Sequence, residues 1–303
     1  MLYAIADFVA RHAIAVLTVV TIAALALSAA AWHVLVTVAP RMWPLAIDLW
    51  NRARHTRLAC WLRELPMLGR VLSTTLTIAR YLGIVAIVGF VLSAGAIVLF
   101  VELADEIGVG ESLAEFDVAL SAALREHLSP ETLRFFSIVT HLGDMEVLFA
   151  IGVVVFGVLA IRRLRLLAAA WVVTTLSGAL LNRVLKSIFE RSRPLHDHGL
   201  TAEGGWSFPS GHASGSMLVY GLLAYVVVRS TPPVWHIPTA LAGMALVIFV
   251  GSSRVLLQVH YLSDVLAGYA SATAWVAICI AALEAVRWRE QQGSRASFVP
   301  AKS

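Results

Sequence analysis

The chain has 303 residues, 59% of them apolar, with a mean hydropathy of +0.81 and a formal net charge of +4. That apolar share exceeds what a soluble domain of this length carries, and it excludes an ordinary soluble globular protein. The 21 arginines and two lysines are spread along the chain, which leaves no nucleic-acid footprint, and the two cysteines, Cys60 and Cys279, offer neither metal-ligand spacing nor a disulfide framework.

Seven apolar runs follow one another, at roughly 13–39, 81–101, 145–161, 166–185, 213–228, 237–252 and 262–283. A membrane-spanning helix needs about 20 apolar residues. The first, second and last runs have them, and the middle four reach that length with polar or interfacial residues. Backbone polar groups find no partner in lipid, so each run is expected to be a helix. The first run contains "ALSAA", small residues that suit signal cleavage. Its length favours an uncleaved anchor instead, because cleavage would leave the arginine-rich loop that follows it outside. The expected fold is all-α, a polytopic membrane helical bundle.

Basic residues set the orientation. Seven arginines (41, 52, 54, 57, 63, 70, 80) lie between the first two runs; Arg162, Arg163 and Arg165 join the third to the fourth; Arg229 follows the fifth; Arg287, Arg289, Arg295 and Lys302 follow the last. These segments fall on one side of a seven-span arrangement and hold 15 of the 23 basic residues, which predicts a cytoplasmic side there and an outer N-terminus. Segment 102–144 lies opposite, with nine acidic residues. It reads as two short amphipathic helices at the surface. Phe116, Leu120, Leu124 and Leu128 form one apolar face, and Ser129 and Pro130 start the second helix as N-cap and first helical residue. The polar tail from about Gln291 is expected to be disordered.

Three polar clusters stand at span ends on that outer side: "KSIFERSRP" after the fourth run, "PSGH" opening the fifth, and "SRVLLQVHYLSD" between the sixth and seventh. Charge at membrane depth is costly, and three such clusters at one depth point to an anion site. Lys186, Arg193 and Arg254 supply fixed positive charge. Lys186 is notable in a chain that otherwise uses arginine, because it offers a compact ammonium rather than a planar fork. Ser210 and Gly211 sit at a helix start, where backbone N–H groups and the helix dipole favour a phosphate. His260 and Asp264, four apart, are expected to share a helix face, the carboxylate holding one ring nitrogen and leaving the other nucleophilic. His212 is then the candidate acid. His196 and His198 in "HDH" lack the gathered carboxylates of a two-metal phosphatase, so no metal site and no cofactor is expected.

In this order and spacing, Lys186-x6-Arg193-Pro194, Pro209-Ser210-Gly211-His212 and Ser253-Arg254-x5-His260-x3-Asp264 resemble the three-part signature of the type 2 phosphatidic acid phosphatase family. Phe116-Asp117 and Leu142-Gly143-Asp144 look like its bacterial lipid phosphatase branch. The resemblance covers roughly residues 80–285 and implies a six-helix core, to which this chain adds one N-terminal transmembrane helix. It divides the chain into an anchor with an arginine-rich loop (1–80), a membrane phosphatase domain (81–286) and a cytoplasmic tail (287–303). It implies that Lys186, Arg193, Ser210, Gly211 and Arg254 bind phosphate, that His260 attacks phosphorus to form a phosphohistidine, that Asp264 orients His260, and that His212 protonates the leaving group. The implied substrate is a lipid phosphate or diphosphate in the bilayer: undecaprenyl diphosphate, phosphatidylglycerol phosphate or phosphatidic acid. The implied location is the inner membrane of a bacterium, with the site facing the periplasm. A lipid-dependent phosphotransferase would use the same residues. A vanadium haloperoxidase shares the signature but is soluble, and a non-enzymatic transporter has no need of it.

Overall fold

The computed structural model describes residues 1–34, 37, 84–108, 110–195 and 204–296. Every regular element among them is helical: α1 (Leu2–Arg11), α2 (Ala13–His33), α3 (Ile84–Asp105), α4 (Ser112–His127), α5 (Pro130–Val139), a 3₁₀ turn (Thr140–Gly143), α6 (Met145–Ile161), α7 (Arg165–Phe189), α8 (Gly211–Ser230, π-helical over Met217–Gly221), α9 (His236–Leu256) and α10 (Leu262–Ala296). All seven apolar runs are therefore helical where they are described. Six helices (α2, α3, α7, α8, α9 and α10) are long and apolar enough to cross a membrane; α6 joins them as a seventh span when taken with the helix before it, from which it is bent by 41°. The protein is an all-α membrane bundle.

The described residues divide into two compact units. Met1–Ser28 and Ser93–Val276 form the unit that carries every candidate site residue. In the other, α3 runs close to α10: a Cβ added to Gly89 would stand 3.6 Å from the Ala277 carbonyl oxygen. Large side chains such as Phe149, Val154, Val173, Leu176 and Leu180 are exposed along α6 and α7. An uncovered apolar belt of this kind suits a lipid surroundings rather than water.

Two details differ from the sequence-based expectation. The first apolar run is preceded by a separate helix. α1 packs its Ala6 and Ala10, with Ala13, against Leu120 and Leu124 of α4 and Phe136 of α5. The apolar face expected on segment 102–144 is thus covered by the chain's own N-terminus, and Asp7 fixes the contact with His127 at 2.8 Å. At the other end, α10 continues through Ala296, into the tail expected to be disordered. Glu290, Gln291 and Gln292 are good helix formers, so the helix need not stop where the apolar residues do. The start of α5 is as expected: Ser129 Oγ accepts from Thr132 N at 3.2 Å, with Pro130 at the first helical position. Two of the basic connections assigned to one side of the membrane also meet, Arg162 donating to the Ser230 carbonyl at 3.4 Å.

Candidate active site

α9 ends at Leu256, and Gln258 takes a left-handed conformation with φ of 52°. The chain then folds back so that Val259 N and His260 N both donate to the Arg254 carbonyl, at 3.1 and 3.2 Å. This turn plants His260 in the interior ahead of α10. The expected shared helix face is therefore corrected: His260 lies outside the helix, and Asp264 reaches it from the first turn of α10. Asp264 Oδ2 accepts from Tyr261 N at 2.9 Å and stands 3.3 Å from His260 Nδ1. Ser207 Oγ donates to the same carboxylate oxygen and lies 3.3 Å from the same ring nitrogen.

The other ring nitrogen faces a cation. Arg193 Nη1 is 3.0 Å from His260 Nε2. A guanidinium can only donate, so Nε2 carries a lone pair and the ring proton sits on Nδ1, facing Asp264 and Ser207. Burial drives this imidazole down from the ordinary 6.5 to about 3, against the upward pull of Asp264. His260 is thus a neutral imidazole with its basic nitrogen turned toward arginine.

Arg193 is held by backbone carbonyls on several sides: Gly205 O on Nε at 3.1 Å, Gly204 O on Nη2 at 3.1 Å and Val259 O on Nη1 at 2.8 Å. It shares the Trp206 carbonyl with Lys186, whose Nζ donates there at 2.6 Å. Lys186 follows from α7. Its Cε would lie 3.9 Å from a Cβ placed on Gly211, so the ammonium side chain runs beside the start of α8. Ser210 caps that helix, its Oγ accepting from Ala213 N at 3.5 Å, while its own N–H donates to the Asp264 carbonyl at 2.9 Å. Gly268 permits the approach. A Cβ there would come within 2.8 Å of Ser210 O and 3.2 Å of Ser214 N.

His212 points to the other side of the helix start. Its Nε2 is 2.9 Å from Asp144 Oδ1, and Asp144 Oδ2 takes His141 Nδ1 at 2.6 Å. Thr140, at the head of the same 3₁₀ turn, accepts from Arg254 Nη1 at 2.6 Å. Tyr220 in the π-helical stretch donates to the Leu142 carbonyl at 2.7 Å and holds the turn in place. Gly143 again allows close contact, since a Cβ there would meet Val250 at 2.4 Å and His212 at 3.0 Å.

The contacts form a closed circuit through all eight residues singled out from sequence. Lys186 and Arg193 share a carbonyl; Arg193 touches His260; His260 touches Asp264; Asp264 holds Ser210; Gly211 and His212 follow in the chain; His212 reaches Asp144 on the turn that holds Arg254; and the Arg254 carbonyl returns to His260. Sequence reasoning left several members without a role. Asp144 and Asp117 ended the short stretches Leu142-Gly143-Asp144 and Phe116-Asp117, Arg191 stood inside "KSIFERSRP", and Ser207 lay two residues before "PSGH". Thr140, one turn before Asp144, carried no signal. Among the described residues no group of three or more His, Cys, Asp or Glu side chains is placed to hold a metal ion. His196 and His198 lie outside the described residues. The donors present suit a bound anion: three cationic side chains, backbone N–H groups at a helix start, and two histidines on opposite sides.

Comparisons with known proteins point the same way. The sequence profile of the PAP2 superfamily matches residues 166–288. Phosphatidylglycerophosphatase B of Bacillus subtilis (strain 168) is 34% identical over 135 residues, 43% of this chain and 65% of that protein. The chain thus spans just under two thirds of the length of the curated relative it matches. Among solved structures, the first transmembrane PAP2 type phosphatidylglycerolphosphate phosphatase from Bacillus subtilis is similar, with a TM-score of 0.58 and 25% identity over 69% of this chain and 98% of that one. All eight circuit residues named from the sequence lie inside the matched span, and over residues 166–288 the chain is similar to the PAP2 superfamily.

Proposed function

We propose that this protein is a lipid phosphatase that works without a metal and through a phosphohistidine on His260. The observation that carries the reading is the contact between Arg193 Nη1 and His260 Nε2, with Asp264 and Ser207 on Nδ1. The nucleophilic lone pair and a phosphate-binding cation then face the same point.

In this reading Lys186, Arg193, Arg254 and the N–H groups at the start of α8 bind the phosphate oxygens and offset the charge that builds up in the transition state. The Nε2 lone pair attacks phosphorus, and the bond from phosphorus to the lipid oxygen breaks. His212, held through Nε2 by Asp144, gives a proton from its other ring nitrogen to that oxygen. Water then attacks the phosphohistidine, His212 takes its proton, and inorganic phosphate leaves. The names of the two relatives put phosphatidylglycerol phosphate first among substrates, ahead of undecaprenyl diphosphate and phosphatidic acid. The substrate's acyl or prenyl tail stays in the bilayer while its phosphate enters the circuit. The site opens to the outer, periplasmic face of a bacterial inner membrane, a reading that the basic loops support. Phosphate release from these three lipids in detergent, with wild type and His260→Ala side by side, tests the reading. Release from none of them, or equal release by both proteins, would overturn it.

A further inference from the structure

Asp264 is fully buried, and its carboxylate is not held by the histidine alone. Arg191 Nη1 donates to Asp264 Oδ1 and to Ser263 Oγ, both at 2.7 Å, and Arg191 Nη2 donates to Asp117 Oδ2 at 3.0 Å. Asp117 lies on α4, in the acidic segment that precedes the phosphatase helices, and it too is buried. Ser263 closes the arrangement: its N–H donates to Asp117 Oδ1 at 3.2 Å, and its hydroxyl donates to Asp117 Oδ2. Arg191 and the Ser263 N–H can only donate to Asp117, which favours its carboxylate form against the burial that raises its proton affinity. The guanidinium is backed by the Tyr261 ring, 4.4 Å from its centroid. Arg191 is outside the signature positions, yet it is the link between α4 and the residue that orients His260.

The charges explain why such a link is useful. Two carboxylates and one guanidinium leave one net negative charge on the Nδ1 side of His260, while the Arg193 guanidinium faces Nε2 and Arg254 adds a second positive charge nearby. A neutral imidazole tolerates this arrangement, and an imidazole carrying a phosphoryl group on Nε2 and a proton on Nδ1 is stabilised by the negative charge. Removing Arg191 would leave two adjacent buried carboxylates with no cation between them. They would share a proton between them, and a protonated Asp264 would donate to Nδ1 and move the ring proton to Nε2, the atom that has to attack. We infer that Arg191, clamped between Asp117 and Asp264, is a positioning residue that keeps the Asp264 carboxylate aimed at His260 and keeps Nε2 unprotonated, so that the outer helix α4 sets the state of the nucleophile. This rests on the phosphohistidine reading for its effect on turnover, but its effect on the ring does not need catalysis.

Two measurements on the full-length protein in detergent separate these. Nitrogen-15 spectra of the imidazoles at pH 7, with His260 assigned by its loss in His260→Ala, report the ring state without substrate. Wild type should show a neutral ring protonated on Nδ1, and Arg191→Gln a ring protonated on Nε2. Adding Asp117→Asn to Arg191→Gln removes one negative charge with the positive one, and should return the ring proton to Nδ1. If wild type hydrolyses the lipid, Arg191→Gln should lower kcat at least about tenfold with KM within about threefold, and the double variant should recover most of that loss. A merely structural arginine would make the double variant as poor as the single one or poorer. Should Arg191→Gln fail to fold, Asp117→Asn alone decides, with kcat expected to fall severalfold at unchanged KM. A His260 ring still protonated on Nδ1 in folded Arg191→Gln, or a folded Asp117→Asn with wild-type kcat, would overturn the inference. Loss of lipid hydrolysis by wild type would strike the functional reading and leave the spectra to judge this one.

Discussion

His212 and Asp144 meet across two helices, Nε2 of the first standing 2.9 Å from Oδ1 of the second. The carboxylate comes from the N-cap of α6, 68 positions away in the chain, and also holds His141. In the proposed scheme the acceptor fixed on Nε2 turns the other ring nitrogen of His212 toward the leaving oxygen. Asp144→Asn is therefore expected to lower kcat by about tenfold or more, with little change in KM, since general acids contribute about 10²–10⁴-fold. His141→Ala, which removes only the outer partner of the carboxylate, should cost much less. Steady-state kinetics on the two variants check this, and equal losses would contradict the assignment.

His260→Ala should cut turnover by at least about 10²-fold, and His212→Ala by a similar factor, as is usual when a nucleophile or acid is lost. Their pH dependence should differ from that of ordinary histidines. Because burial sets His260 at about 3, the ring is neutral and able to attack at every pH above that value, and is lost as a nucleophile only as pH falls through it. The profile of kcat/KM should be bell-shaped. Once corrected for ionisation of the substrate, its acid limb should lie far below the usual histidine range. An acid limb near 6.5 that disappears in His260→Asn would show that the burial effect is absent.

What was legible in the sequence was local. Pro209, Ser210, Gly211 and His212 announce a capped helix start without any tertiary information, and the apolar runs announce spans because lipid admits little else. His260 and Asp264 were paired correctly, though through the wrong geometry. Their spacing suits a helix, but the left-handed Gln258 and the double return to the Arg254 carbonyl make a turn instead. The partners of these residues were not legible. Asp144, Thr140 and Asp117 come from segment 102–144, whose charges look like a solvated cap until the fold buries them. Separation along the chain hides such pairs: Arg191 and Asp117 are 74 positions apart. α1 escaped notice because its alanines form an apolar face only beside Leu120 and Leu124 of α4.

Close approach at Gly268 should make it intolerant of even one carbon. A methyl group there would meet Ser210 O at 2.8 Å and Ser214 N at 3.2 Å, both backbone atoms that cannot swing aside. Gly268→Ala should push the start of α8 away from Asp264, costing about 1–3 kcal/mol of stability and most of the activity. Gly157→Ala on α6, where nothing lies within 4 Å, serves as control and should be neutral or slightly stabilising. Thermal melts in detergent, together with turnover, separate the two. Equal melts and equal rates would mean the contact at Gly268 is unimportant.

In the proposed scheme Lys186, Arg193 and Arg254 provide the positive charge that a metal-dependent phosphatase takes from ions. Chelators should leave turnover unchanged, and vanadate should inhibit as a mimic of five-coordinate phosphorus. Lys186→Arg should be damaging despite its conserved charge. The ammonium threads beside Gly211 to reach the Trp206 carbonyl at 2.6 Å, a path suited to a slim chain ending in a point charge rather than a planar fork. Loss of activity in chelator, restored by a divalent cation, would contradict the scheme, as would full activity in Lys186→Arg.

The side of the membrane proposed for this chemistry rests on the loops. The circuit residues sit at the ends of spans that open opposite Arg162, Arg163, Arg165 and Arg229, and the basic segments on that opposite side hold 15 of the 23 lysines and arginines. Three of the remaining eight, Lys186, Arg193 and Arg254, are phosphate binders in the proposed site, so they are placed by the phosphate and carry no vote on orientation. The bias is therefore stronger than the raw count, and it supports the proposed outer orientation of the site. Single cysteines in a background lacking Cys60 and Cys279 test it. Leu195, 80% exposed, lies just past Arg193 on the site side, and exposed Arg162 lies in the α6–α7 connection on the other. In intact cells an impermeant thiol reagent should label Leu195→Cys and spare Arg162→Cys, while permeabilised cells should label both. Labelling of Arg162→Cys alone in intact cells would invert the topology and place the reaction in the cytoplasm.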